Sequence, residues 1–460
     1  MAETLRFPQG FIWGAASASY QVEGAVKQDG RSESIWDRYC SIPGMVANHD
    51  TGETACDHYH RYKEDVALMK TLGMQAYRFS IAWPRVMPGG TGKVNPKGLD
   101  YYSRLVDTLL EAGIKPFATL FHWDLPQCMA DVGGWCNPAM PHYFLEYAAA
   151  VFDKLGDRVD YWMTLNEPYC TAFLGHYVGR HAPGHHDYAE ALRTAYYLYV
   201  GHGLVVRHFR ERGDQGREKK GTKGEIGIAL NLMGRLPLNP DDPLDQAAAK
   251  RADGNLNRWF LDPLLKGSYP EDMTRWYEKK GIVLPPFDAE EIALMHQELD
   301  FIGLNYYNDF YVQHNPHVWP DEGEIKNPRH IPVNTRDWPV TEQGFTAMLL
   351  RLKNEYGVKR ILISENGTAT HEIVSMEHTV EDPQRVDYLK RHLKALHQAI
   401  EAGAPVFGYL QWSFTDNFEW AFGYNSRFGL VYVDFETQER IVKQSGTWYA
   451  KVIKDNALTV

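Results

Sequence analysis

The 460 residues carry a formal charge of −11 with no basic stripe, which argues against nucleic acid or an anionic membrane as the main partner. Apolar residues at 44% and charged residues at 23% are ordinary for a globular chain, but 13 Trp and 27 Tyr are rich and suit flat, amphipathic ligands. No stretch of about 18 apolar residues occurs, and the start MAETLRFPQG has no basic region leading into an apolar one, so the chain is expected to avoid membranes and reside in the cytoplasm.

Short β-branched and aromatic runs alternate with longer segments of helical periodicity, the pattern of a parallel sheet. The first predicted strand is FIWGAA (11–16), and the turn after it, YQVEG, brings Gln21 and Glu23. His58 and His60 form an HxH pair, but no cysteine or third histidine stands at ligand spacing, so no metal site is expected and both are read as ordinary surface histidines. YHRYKEDVALMKTLG (59–73) reads as a helix closed by glycine; QAYRFSI (75–81) is the second strand and carries Arg78. After the helix LDYYSRLVDTLLEAG (99–113), KPFATLF (115–121) is the third strand and delivers His122 and Trp123.

VDYWMTL (159–165), the fourth, runs into TLNEP with Asn166 and Glu167. The polar, charged DQGREKKGTKG (214–224) is predicted to be a mobile surface loop before the fifth strand, EIGIAL (225–230). DFIGLN (300–305), the sixth, ends at Asn305 and Tyr307; RILISE (360–365), the seventh, runs into ISENG with Glu365. The helix DYLKRHLKALHQAIEAG (387–403) precedes the eighth, VFGYLQW (406–412), and then QWSFTDNFEW, with Trp412, Glu419 and Trp420. Five cysteines, odd in number, lie within the first 170 residues without a CxxC pair, so neither a disulfide scaffold nor a zinc site is expected.

Eight βα units predict an α/β fold, a closed (β/α)₈ TIM barrel over residues 1–460 as a single domain, with its active site at the C-terminal strand ends. An open doubly wound sheet would want GxGxxG after the first strand, which is missing, so no dinucleotide cofactor is expected. In the barrel, Glu167 and Glu365 would face one mouth. Two carboxyl groups brought separately to one pocket can split a glycosidic bond, one protonating the leaving oxygen while the other attacks or activates water. Any single polar or aromatic group at a strand end has a structural explanation. Such groups at seven of eight ends on one face point to a binding site.

The opening FIWGAASASYQVEG, TLNEP and ISENG, in that order, together with WSFTDNFEW, resemble glycoside hydrolase family 1, the β-glucosidase family, over nearly the whole chain. The resemblance implies Glu167 as acid/base and Glu365 as nucleophile. It implies Gln21, His122, Trp123, Asn166, Trp412, Glu419 and Trp420 as groups binding the nonreducing sugar, with Asn305 supporting that subsite. Arg78 and Tyr307 match residues that contact the nucleophile, and Trp338 resembles the leaving-group platform.

Arg78 is expected to hold Glu365 ionised, whereas Glu365 should raise the pKa of Glu167 and keep it protonated, with the carboxyls about 5–5.5 Å apart for a retaining reaction. Implied substrates are terminal β-D-glucosides, cello-oligosaccharides among them, with β-fucosides and β-galactosides beside them and some transglycosylation. No cofactor or metal is implied, and a homo-oligomer is admitted but not required. Glu419 in place of a phosphate-binding serine and lysine argues for unphosphorylated sugars, since a carboxylate repels phosphate. Glutamate at 167, where the similar plant thioglucosidases have glutamine, argues against that subfamily. Thr368 after ENG departs from the usual apolar or small residue. The competing expectation is a noncatalytic sugar-binding barrel, which would tolerate loss of either carboxylate.

Overall fold

The computed structural model describes residues 3–212 and 224–460. Eight parallel strands close into a barrel: β1 (Ile12–Ala16), β2 (Ala76–Ser80), β3 (Lys115–Phe121), β4 (Tyr161–Asn166), β5 (Glu225–Asn231), β6 (Phe301–Asn305), β7 (Ile361–Asn366) and β8 (Val406–Trp412). They are hydrogen-bonded in chain order, and Gly408 opposite Ile12 joins the last strand to the first. Every predicted strand is present, β3 and β8 with the expected limits and the others within two residues at either end.

Because helices cover the outside, each strand is buried on both faces and is built from near-continuous apolar residues rather than an alternation. The helices turn one apolar face inward: Pro96–Glu111 buries Leu99, Tyr102, Leu105, Val106 and Leu109, at spacings of three and four residues. His58–Thr71, Pro96–Glu111 and Pro383–Glu401 are followed by Gly73, Gly113 and Gly403, all at positive φ, where a Cβ would strain the turn.

Below the barrel, Phe7, Phe11, Trp13, Tyr409 and Tyr449 pack ring against ring. Trp13 Nε1 donates to Asn456 Oδ1 at 2.8 Å, and the strand Thr4–Arg6 pairs antiparallel with Ala457–Thr459, so the two ends of the chain seal this face together. Outside the barrel, Arg235–Pro237, Phe310–His314 and Gly323–Ile325 form a small sheet beside the opposite, C-terminal mouth.

His58 corrects the reading of surface histidines: it is buried, its Nδ1 2.7 Å from Asp65 Oδ2, while His60 is exposed against Asp57 and Gln28. All five cysteines are free thiols. Among the described residues, no group of three or more His, Cys, Asp or Glu is placed to hold a metal, and no helix is long and apolar enough to cross a membrane. The loop expected at 214–224 lies, apart from Gly224, outside the described residues.

Candidate active site

Two strands lose their regular register near their C-terminal ends, beside Glu167 and at Glu365. Pairing shifts between Met163 and Asn166 on β4 and between Ile363 and Glu365 on β7. Such irregularities re-aim side chains at a barrel rim, and Glu167 and Glu365 both line one cavity of about 260 Å³. Glu167, Trp123 and Trp420 have φ of 45°, 76° and 50°, left-handed backbone that a non-glycine residue adopts at a cost of about 1–3 kcal/mol.

Glu365 is held by charge. Arg78 Nη1 donates to its Oε1 at 2.5 Å and the Tyr307 hydroxyl to its Oε2 at 2.6 Å. The rest of the Arg78 fork is filled by Asn166 Oδ1 at 2.5 Å and Thr119 Oγ1 at 3.0 Å. Glu167 is held by neutral donors: Asn305 Nδ2 to Oε1 at 2.7 Å and the Cys170 thiol to Oε2 at 3.0 Å. Asn305 thus reaches the Glu167 carboxyl directly, and Ser364 Oγ fixes it by donating to its Oδ1.

This contrast separates the two acids. Burial, and then the charge of Glu365, push Glu167 up to about 8. Burial also raises Glu365, against the downward pull of Arg78 and Tyr307. The lowering expected from Arg78 is therefore present, but burial outweighs it. Tyr307 is pushed well above its usual range, chiefly by burial, and stays a donor.

Asn166 Nδ2 donates to His122 Nε2 at 3.0 Å, which fixes the proton on Nδ1, a buried donor with no partner among the described residues. Burial, then Arg78, lower the His122 pKa well below the usual value, so the ring is neutral. His122 lies between Trp412 and Trp420, 5.9 Å from each, and Trp123 Nε1 is tied to the Asn166 carbonyl at 2.9 Å. Gln21 Nε2 donates to Asn417 Oδ1 and the Phe418 carbonyl and reaches Glu419 Oε2 at 3.4 Å, which leaves its Oε1 as a buried acceptor without a partner among the described residues. Glu23 does not join this group: it accepts from Arg85 and Tyr102 and is buried among them.

Trp338 is half-buried, 5.5 Å from the Tyr307 ring. Its loop is fastened through Asn334, whose Oδ1 accepts the backbone N–H of Arg336 and of Trp338 and whose Nδ2 donates to Thr368 Oγ1 at 3.1 Å. The hydroxyl that departs from the family pattern is thus an anchor for that loop.

Several groups at the cavity escaped sequence reasoning. Arg336 pairs with Glu419 and lies over the Trp338 and Phe422 rings at 4.4 and 3.9 Å. That pairing weakens the argument that Glu419 repels phosphate. Asn231, at the end of β5, lines the cavity and supplies the eighth strand end; Cys170, Arg180 and Arg235 line it as well. Cys170 stands three residues beyond Glu167 and Arg336 two before Trp338, and this closeness to motif residues was the available signal.

The sequence pattern described as glycosyl hydrolase family 1 matches residues 3–458. Beta-glucosidase A of Acetivibrio thermocellus is 44% identical over 98% of this chain and 99% of its own length. Beta-glucosidase A of Thermotoga maritima is 43% identical over 98% and 99%. The solved structure of the β-glucosidase from Thermotoga maritima in complex with glucoimidazole superposes with a TM-score of 0.92 at 43% identity, covering 98% of this chain and 99% of that one.

Proposed function

The chain belongs to glycosyl hydrolase family 1 and is a retaining β-glucosidase, and we propose that Glu365 is its nucleophile and Glu167 its acid and base. The observation that carries the assignment is the unequal setting of two carboxyls in one cavity: a guanidinium and a phenol on Glu365, an amide and a thiol on Glu167.

In the first step a Glu365 oxygen forms a bond to the anomeric carbon as the glycosidic bond breaks, and the Glu167 proton passes to the leaving oxygen. The leaving group departs as a neutral alcohol. The Glu365 ester has lost its negative charge, so the Coulombic push on Glu167 disappears and its carboxyl becomes acidic enough to stay ionised. It then takes a proton from water as that water attacks the same carbon from the side the leaving group vacated. Glu365 is released as carboxylate and the product is the β-sugar.

His122 Nδ1–H, Gln21 Oε1, Glu419 and the Trp412 and Trp420 rings supply donors, acceptors and stacking faces for the nonreducing glucose; Trp123 and Asn166 hold the His122 side of that surface, and Trp338 flanks the leaving group. We extend the substrates to cello-oligosaccharides, β-fucosides and β-galactosides, with transfer to sugar acceptors beside hydrolysis. The free thiols suit a reducing cytoplasm.

The test is incubation with aryl β-glucoside, β-galactoside, β-fucoside and 6-phospho-β-glucoside while proton NMR follows the anomer first released. Initial release of β-glucose supports the assignment. An α-anomer would overturn it, turnover of the phosphorylated substrate alone would overturn the preference for unphosphorylated sugars, and no turnover would restore the sugar-binding alternative.

A further inference from the structure

The charges around the cavity do not cancel. Arg78 is committed to Glu365 and Arg336 to Glu419, and Glu167 keeps its proton up to about 8. Two further guanidiniums line the same cavity. Arg235, on the outer strand Arg235–Pro237, lies 5.0 Å from the Phe310 ring, and its Nη1 is buried with no hydrogen-bond partner among the described residues. Arg180 is exposed at the rim and makes no salt bridge among the described residues.

The acids that influence Arg235 do not neutralise it by contact. Asp253 is taken by Arg258 and Arg351. Asp309 accepts the Gly234 N–H and the Tyr306 hydroxyl, and burial raises its carboxyl. Asp321 is pushed by burial to about 7, so near neutral pH a large share of it carries a proton. A guanidinium with an unfilled, buried N–H in a chain of net charge −11 is a costly arrangement unless an anion completes it. Tyr169, Met233, Phe310, Ile325 and Trp338 give the same half of the cavity flat and apolar walls.

We propose that the outer half of the pocket is a subsite for an aromatic leaving group bearing a carboxylate, with Arg235 as the deep donor and Arg180 as the charge at the rim. A planar carboxylate matches the guanidinium fork, and an aryl ring fits walls made of rings. The inference rests on the β-glucosidase reading and names the class of substrate that reading leaves open: β-glucosides of phenolic or aryl-alcohol carboxylic acids.

The test compares 4-carboxyphenyl β-D-glucoside with its methyl ester, taking the ratio of their kcat/KM values in the wild-type enzyme and in Arg235→Met and Arg180→Met. Intrinsic leaving-group differences cancel when these ratios are compared between enzymes. The acid-to-ester ratio should fall at least about tenfold in Arg235→Met, because a desolvated charged contact is lost, and about two- to fivefold in Arg180→Met, where solvent screens the charge. An unchanged ratio in Arg235→Met overturns the proposal. Should that variant fail to fold, inhibition of the wild type by 4-hydroxybenzoate and 4-hydroxybenzamide decides: tighter binding of the acid supports the subsite, and equal binding overturns it. Failure of the wild type to cleave either glucoside would instead defeat the underlying β-glucosidase reading.

Discussion

The inner and outer halves of the pocket are built by different means. Around Glu167 and Glu365 the groups come from barrel strands or the turns just beyond, are buried, and hold one another: Arg78 alone links Glu365, Asn166 and Thr119. The outer half is carried by the small sheet outside the barrel and by the loop at 327–340, where Trp338 and Arg336 depend on the side chain of Asn334. Groups fixed by a closed ladder cannot shift without disturbing neighbouring strands, whereas a loop held by its own short backbone bonds and a few side-chain bonds can be retuned singly. Changes in the inner half should therefore stop the chemistry, and changes in the outer half should redirect it.

The sharpest way to break this contrast is Glu365→Gly. Turnover of an aryl β-glucoside should fall by roughly 10⁴-fold or more while circular dichroism shows the barrel still folded; an unaltered rate would remove Glu365 from its proposed role. Next in size is Glu167→Ala, which should slow poor leaving groups by about 10²–10⁴-fold. With a good leaving group, azide should accelerate turnover and yield a β-glycosyl azide, and the absence of both effects would count against Glu167.

Smaller effects sharpen the comparison. The free enzyme needs Glu167 protonated and Glu365 ionised, so kcat/KM should decline as pH rises through about 8, and the acid limb should lie above the ordinary carboxylate range. The Cys170 thiol favours the ionised form of Glu167 and so lowers its pKa; Cys170→Ala should move the alkaline limb to higher pH, and a downward move would refute that role. Smallest is Thr368→Val, expected to raise KM for aryl glucosides about two- to threefold through the Asn334 anchor, with Thr368→Ser restoring it. An equal loss in both variants would mean that the hydroxyl is not what matters.

Most of the inner half was legible in the sequence because its groups lie on or just after strands whose apolar runs announce them, and β3 and β8 are found at their expected limits; Cys170, which reaches Glu167 from beyond the motif, was not. The small outer sheet was not legible, since its strands of three and five residues carry no periodicity of their own and the pairing of Arg235 with Phe310 spans more than 70 positions. Arg235 escaped for the same reason, and Arg336 because it lies on a loop without periodicity. Glu23 shows the opposite failure: its place after β1 suggested the pocket, but Arg85 and Tyr102, more than 60 residues further on, turn it into the core.

The ladder between β8 and β1 matters before the protein ever meets a sugar. Ile12 is made almost 400 residues before its partner Gly408, and the strand Thr4–Arg6 beneath it waits for Ala457–Thr459. While the ribosome is still working, β1 and the growing edge of the sheet stay open, offering apolar strands to whatever is near. The ring and its active site can close only once β8 has been made, so the catalytic half cannot assemble ahead of that strand.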